Sequence, residues 1–150
     1  MSRHAERWIR IGLVVLYAIT GILKLKDPAA FAFTLENYRL LPATGSAALA
    51  LFVPWMEIAC ALTLLSSSWR GTGWWIAALL GFGFSVFVLS AWIRGLDIHC
   101  GCWGDSAYQP IGVIAAIRAV GLLILALFGL RHQLRAARAP SPKASETQVR

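Results

Sequence analysis

The sequence predicts an all-α membrane protein, a bundle of four transmembrane helices with a short amphipathic surface helix in the first outer loop. Three observations carry this reading. The 150 residues are 58% hydrophobic and only 14% charged, a balance outside what a water-exposed surface tolerates. Four apolar runs, residues 8–24, 46–65, 72–93 and 111–130, approach the ~20 residues that cross ~30 Å of hydrocarbon at ~1.5 Å per residue. Lipid offers the backbone no hydrogen-bond partner, and alternating strands of ~10 residues are missing, so each run must be a helix.

The first run follows Arg3, Arg7 and Arg10 as a signal peptide would, but it is long enough to span and no A-x-A-like site closes it. It reads as a retained helix. Between it and the second run, Asp27-Pro28 opens a stretch with Phe31, Leu35 and Tyr38 at helical spacing, closed by Leu41-Pro42. That pattern gives a short amphipathic helix capping the bundle on its outer side. The second and third runs are joined by a tight turn, Ser66 to Gly71, and the third carries Gly81, Gly83, Ser85 and Ser90, small residues that allow close helix contact. Residues 1–132 form one transmembrane domain, and the polar Ala, Pro and Ser-bearing residues 133–150 read as a disordered cytoplasmic tail.

The net charge of +7 would point to nucleic acid in a polar protein, but here Lys and Arg sit at the ends of apolar runs and in the tail. A lipid bilayer, not nucleic acid, is the expected partner. Arg3, Arg7, Arg10, Arg70 and the basic residues from Arg131 onward outnumber Lys24, Lys26, Arg39 and Arg94. The positive-inside bias thus puts both termini and the Ser66 to Gly71 turn in the cytoplasm. Trp8, Trp69, Trp74 and Trp75 then fall at the inner interface, and Trp92 and Trp103 at the outer one.

Reactive groups crowd into the third connection, Asp97-Ile98-His99-Cys100-Gly101-Cys102-Trp103-Gly104. Two thiols one residue apart close a very small ring, and the Gly between them permits backbone angles that other residues resist. Strain favours the reduced form, so such a disulfide turns over by exchange and adds little as a staple. His99 beside Cys100, together with Arg94, favours a thiolate; Asp97 and Asp105 oppose it. Cys100 and Cys102 are the candidate catalytic pair, with His99 as their titrating neighbour. An inert loop disulfide is the plainer alternative. No metal is expected, because ligands so close in sequence strain a tetrahedral shell and no second Cys/His pair completes it. Cys60, deep in the second run, reads as a small apolar core residue.

Glu57 and Arg118 are the ionisable residues well inside the predicted spans, and a charge at that depth costs at least ~2.5–3.5 kcal/mol on insertion scales. The two are expected to pair or to share a polar cavity, with Lys24 and Tyr17 on its outer wall and Trp55 lining it or packing nearby. Such a cavity would serve a proton path, a polar head group such as a quinone, or a structural ion pair.

Several separated motifs together resemble the MauE (methylamine utilisation) branch of the DoxX-like membrane proteins. They are Gly21-Ile22-Leu23-Lys24 with Asp27-Pro28, Asn37-Tyr38-Arg39-Leu40-Leu41-Pro42, Pro54-Trp55-Met56-Glu57, and Cys100-Gly101-Cys102-Trp103-Gly104 followed by Arg118. Members usually carry Phe where Trp103 stands. The resemblance implies a four-helix bundle tied to periplasmic thiol chemistry, beside a thioredoxin-like partner, in maturing disulfide-bearing proteins such as the small subunit of methylamine dehydrogenase. Relatives in the wider grouping are linked to quinone-coupled sulfur oxidation, and the outline is similar to the vitamin K epoxide reductase type without its two-residue Cys spacing. A transmembrane dithiol relay needs a second thiol pair that Cys60 alone does not provide, so a quinone is the expected redox partner. A non-catalytic assembly scaffold is the alternative, and a small transporter ranks last.

Overall fold

A computed structural model describes residues 3–96, 98 and 112–138. Five helices follow one another: α1 (Arg3–Lys26), α2 (Pro28–Asn37), α3 (Ala43–Leu65), α4 (Arg70–Ile93) and α5 (Val113–Arg138). Four of them, all but α2, are long and apolar enough to cross a membrane. Each extends beyond the apolar run that announced it, because a helix need not stop where the hydrocarbon does. The clearest case is α5, which runs past Leu130 to Arg138 through Arg131-His132-Gln133-Leu134-Arg135, mostly strong helix formers.

The long helices alternate in direction. We call the end that holds the start of α1 and the end of α5 the terminal end, and the other the loop end. Neighbours pack in the order α1, α3, α4, α5, whereas α1 and α5 touch sparingly. Near the terminal end His132 Nδ1 lies 3.8 Å from Glu6 Oε2, joining those two helices.

At the loop end α2 leans into the bundle. Asp27 caps it, its Oδ1 accepting from the Ala30 amide at 2.9 Å, and Pro28 occupies the first turn, where no amide is missed. Phe31 and Leu35 are buried against Ala50 of α3, with Val53 and Phe87 alongside, while Phe33 faces outward. The Tyr38 ring meets Phe87 of α4 edge-on, with centroids 5.4 Å apart, and the Tyr38 carbonyl accepts from Arg94 Nη1 at 2.9 Å. The chain then turns through Arg39 at φ 52°, a left-handed backbone that a non-glycine residue enters at a cost. These contacts fix where the third connection leaves the bundle.

In the terminal half the core is tight. Tyr17, Cys60, Leu64 and Trp74 form one buried cluster with Leu13 and Leu130. The Cys60 thiol donates to the Gly73 carbonyl at 3.6 Å, as a small core residue would. Small residues bring α4 and α5 together: a Cβ on Gly81 would sit 3.2 Å from the Leu123 Cα, and the Ser85 hydroxyl lies 2.7 Å from the Gly81 carbonyl oxygen and 3.1 Å from that of Ala119 on α5.

The aromatic belt needs one correction. Trp8, Trp69 and Trp75 are largely exposed, but Trp74 is 0% exposed and fills the space over Gly129, where any Cβ would run into its ring. The tryptophan placed at the interface by sequence is instead the largest wholly buried side chain among the described residues, because α5 leaves a glycine-sized gap opposite it. Gly129→Val is therefore expected to destabilise the bundle by about 1–3 kcal/mol through overpacking. Gly12→Ala, inside α1 where a Cβ meets nothing within 4 Å, should leave the apparent Tm in detergent unchanged or slightly raised.

Candidate functional site

The loop half of the bundle is hollow. A cavity of about 830 Å³ lies between the helices, and all five contribute to its wall. Most of that wall is Leu, Phe and Val, so the polar residues stand out against it: Tyr17, Thr20 and Lys24 from α1, Glu57 from α3, Arg118 from α5, and Tyr38 after α2.

Lys24 and Glu57 form a buried ion pair, with Lys24 Nζ donating to Glu57 Oε1. Each residue is less than one tenth exposed. Two local features bring them together. Pro54 lies inside α3 one turn before Glu57 and removes one backbone donor there. Opposite it, Gly21 lets α1 approach so closely that an added Cβ would lie 3.1 Å from the Pro54 carbonyl oxygen and 3.2 Å from the Glu57 Cβ. Glu57 thus sits level with Gly21, and Lys24, one turn nearer the loop end, reaches inward to it. The Lys24 ammonium also stands 5.0 Å from the centroid of the Phe31 ring, a cation–π contact from α2.

The second carboxylate oxygen, Glu57 Oε2, is buried without a hydrogen-bond partner among the described residues. Thr20 is a hydrogen-bonding neighbour of the carboxylate, and its hydroxyl also lies 3.4 Å from the Tyr17 carbonyl oxygen. Tyr17 is committed elsewhere, its hydroxyl donating to the Ala77 carbonyl at 3.1 Å. Tyr38 lies at the loop-end rim, where burial raises its phenol pKa above the ordinary value and keeps it a neutral O–H. One carboxylate oxygen is therefore left buried in the wall of a mostly apolar space large enough for a ring-sized ligand.

Of the residues singled out by sequence, Glu57, Arg118, Lys24 and Tyr17 share this cavity. The described ion pair is made by Lys24, with Arg118 on α5 across the same space. Trp55 is a correction: it is 62% exposed on the outward side of α3 and is not part of the cavity wall. At helical spacing it lies two positions from Glu57, and so on a different face. Thr20, Phe31 and Tyr38 were not singled out as site residues. The signal for Thr20 was present, since Tyr17, Thr20 and Lys24 recur at intervals of three and four on one face of an otherwise apolar helix. His99, Cys100, Cys102 and Trp103 lie outside the described residues.

The fold and site define a polytopic α-helical membrane protein with a charged cavity buried in its spanning region. The sequence pattern of the family described as "Methylamine utilisation protein MauE" matches residues 3–132, and the chain belongs to that family. It is 32% identical over 118 residues to the methylamine utilization protein MauE of Methylophilus methylotrophus, a match covering 77% of this chain and 62% of that one. The protein of the same name from Paracoccus denitrificans is 30% identical over 120 residues, covering 79% and 64%. That from Methylorubrum extorquens is 31% identical over 138 residues, covering 90% and 73%. The matched region thus spans less than two thirds of the first two relatives. No solved structure matches the chain.

The pair makes a sharp stability prediction. Glu57→Gln or Lys24→Met alone leaves one buried charge uncompensated, for an expected loss of about 3–5 kcal/mol. The double variant should lose clearly less than the two single losses combined, as a double-mutant cycle of unfolding in detergent would read directly.

Proposed function

We propose that this protein is a thiol-disulfide redox protein of the bacterial inner membrane, with Cys100 and Cys102 exchanging electrons with a periplasmic thioredoxin-like partner and a membrane quinone as acceptor. Its role is the maturation of disulfide-containing proteins of the methylamine dehydrogenase type. Membership of a family named for methylamine utilisation supports the last point. The observation that carries the reading is a large apolar cavity holding an ion pair and an unpartnered carboxylate oxygen, set in the same half of the bundle from which the Cys-Gly-Cys connection departs.

The chemistry balances. A partner thiolate attacks the Cys100–Cys102 disulfide, giving a mixed disulfide, and the partner's second thiol resolves it. The partner leaves oxidised, and Cys100 and Cys102 are left as two thiols. A quinone held by the cavity residues would supply the acceptor for the two electrons and two protons whose removal restores the disulfide. Lys24 Nζ would donate a hydrogen bond to a carbonyl oxygen in the cavity, and Glu57 Oε2, turned toward the ligand, would accept from a hydroxyl. The leucine and phenylalanine walls exclude water from that exchange. Arg94, tied to the Tyr38 carbonyl, holds the start of the Cys-bearing connection at the rim.

Two measurements test this. Mixing the purified protein with a ubiquinone analogue and a reduced thioredoxin-like partner should give quinone reduction that Cys102→Ser abolishes, and equal rates in the two proteins would eliminate the redox reading. In cells, Cys100→Ser/Cys102→Ser should fail to support client maturation. If it complements, the outer loop acts as a docking scaffold and its thiols are dispensable.

A further inference from the structure

Six glycines lie within α4 and α5, and the distances around them set them apart. Gly73, Gly81 and Gly129 are required by packing, since a Cβ on each would press on Leu64, Leu123 or Trp74. Gly83 and Gly121 line the cavity, as Gly81 also does, but they differ in that a Cβ on either meets nothing within 4 Å, and neither has positive φ. A glycine inside a helix is less favourable than alanine by about 1 kcal/mol. Neither close packing nor backbone geometry accounts for these two, which leaves the space in front of them.

That space reaches the lipid-facing surface. Phe52 of α3 and Leu79 of α4 belong to the cavity wall yet are 61% and 63% exposed, and Gly83 lies one turn along α4 from Leu79. On the other side, Leu125 of α5 also belongs to the wall and is partly exposed, one turn from Gly121. Here α1 and α5, which touch sparingly, both line the cavity. From Glu6 and His132, which meet at the terminal end, eleven residues along each helix, about 16 Å, lead to Tyr17 and Gly121 at equal height. Both line the cavity from separate helices.

We propose that the cavity is filled sideways from the bilayer, through gaps beside Gly83 and Gly121, by an amphiphile with an uncharged hydrogen-bonding head and a long apolar tail. The head stops at the Lys24–Glu57 pair, and the tail lies against the bare backbone of the two glycines. The inference rests on the quinone reading above and adds to it a route and two specificity-determining positions. A water-soluble ligand would instead need a path past Tyr38 and α2 at the loop end, where Phe31 and Leu35 are packed against α3.

The test uses the full chain in lipid nanodiscs, with bound quinone measured against protein-free discs. The probes are a long-chain alkyl benzoquinone and the same ring bearing only a methyl group. Gly83→Leu, Gly121→Leu or both should weaken the long-chain probe about tenfold while the methyl probe stays within about twofold. Glu57→Gln should weaken both, and Gly12→Leu, on an exposed face of α1 with open space before it, should weaken neither. Wild-type binding that is untouched by both cavity-glycine variants, or weakened equally for the two probes, overturns lateral entry and leaves the quinone reading intact. Wild type that binds neither probe removes the quinone reading and this inference with it.

Discussion

The Lys24–Glu57 pair is the constraint around which the loop half of this bundle is arranged. A carboxylate placed in the middle of α3 has no water to turn to, and its neutralisation requires a cation from another helix. Lys24, near the loop end of α1, would ordinarily extend toward the head groups. Here its ammonium is buried against Glu57 and over Phe31. That choice fixes how far α1 is slid along α3, and it explains why Gly21 faces Pro54 where the two backbones come closest. It also ties α2 to the pair, so the first connection is folded inward instead of lying free on the surface.

The two halves of the molecule solve opposite problems. Toward the terminal end, glycine and alanine let helices close on one another, and Trp74 fills the gap left by Gly129. With no hydrophobic driving force between helices in lipid, this close packing is what holds the bundle together. Around the cavity glycine leaves space, because Gly83 and Gly121 look onto it and a Cβ on either meets no neighbouring helix, while Ser85 still closes α4 on Ala119 of α5 beside it. Glycine therefore has two meanings in one helix pair, and distances to neighbours are what tell them apart. A tight terminal half is also what permits a hollow loop half, since it anchors helices that diverge around 830 Å³ of space.

Much of the candidate site was legible in the sequence as a set of residues, though not as a geometry. Glu57 and Arg118 announce themselves because charge is costly in an apolar run, and Tyr17, Thr20 and Lys24 share a helical face. Counting depth from helix ends nevertheless favours Arg118 as the partner of Glu57, since that count treats the helices as parallel rods of equal length. The close approach at Gly21 changes the count by bringing α1 against α3 at the height of the carboxylate. Trp55 and Trp74 mislead for a related reason: an indole suits an interface or a core equally well, and which it meets depends on the helix opposite. The thiol pair is read from composition and spacing alone, and its chemistry follows from ring size and a neighbouring imidazole.

The sequence by itself determined that this is a four-span α-helical membrane protein, because hydrocarbon leaves a backbone of that length and composition no other structure, and its motifs already resembled the MauE family. It also determined that charged residues inside those spans must be compensated. Only the tertiary structure decided which cation answers Glu57, which tryptophan is buried, and which glycines are needed for contact and which for space. Those outcomes depend on the rotation and sliding of helices against one another, and these are set jointly by side chains far apart in the chain, so no local pattern encodes them.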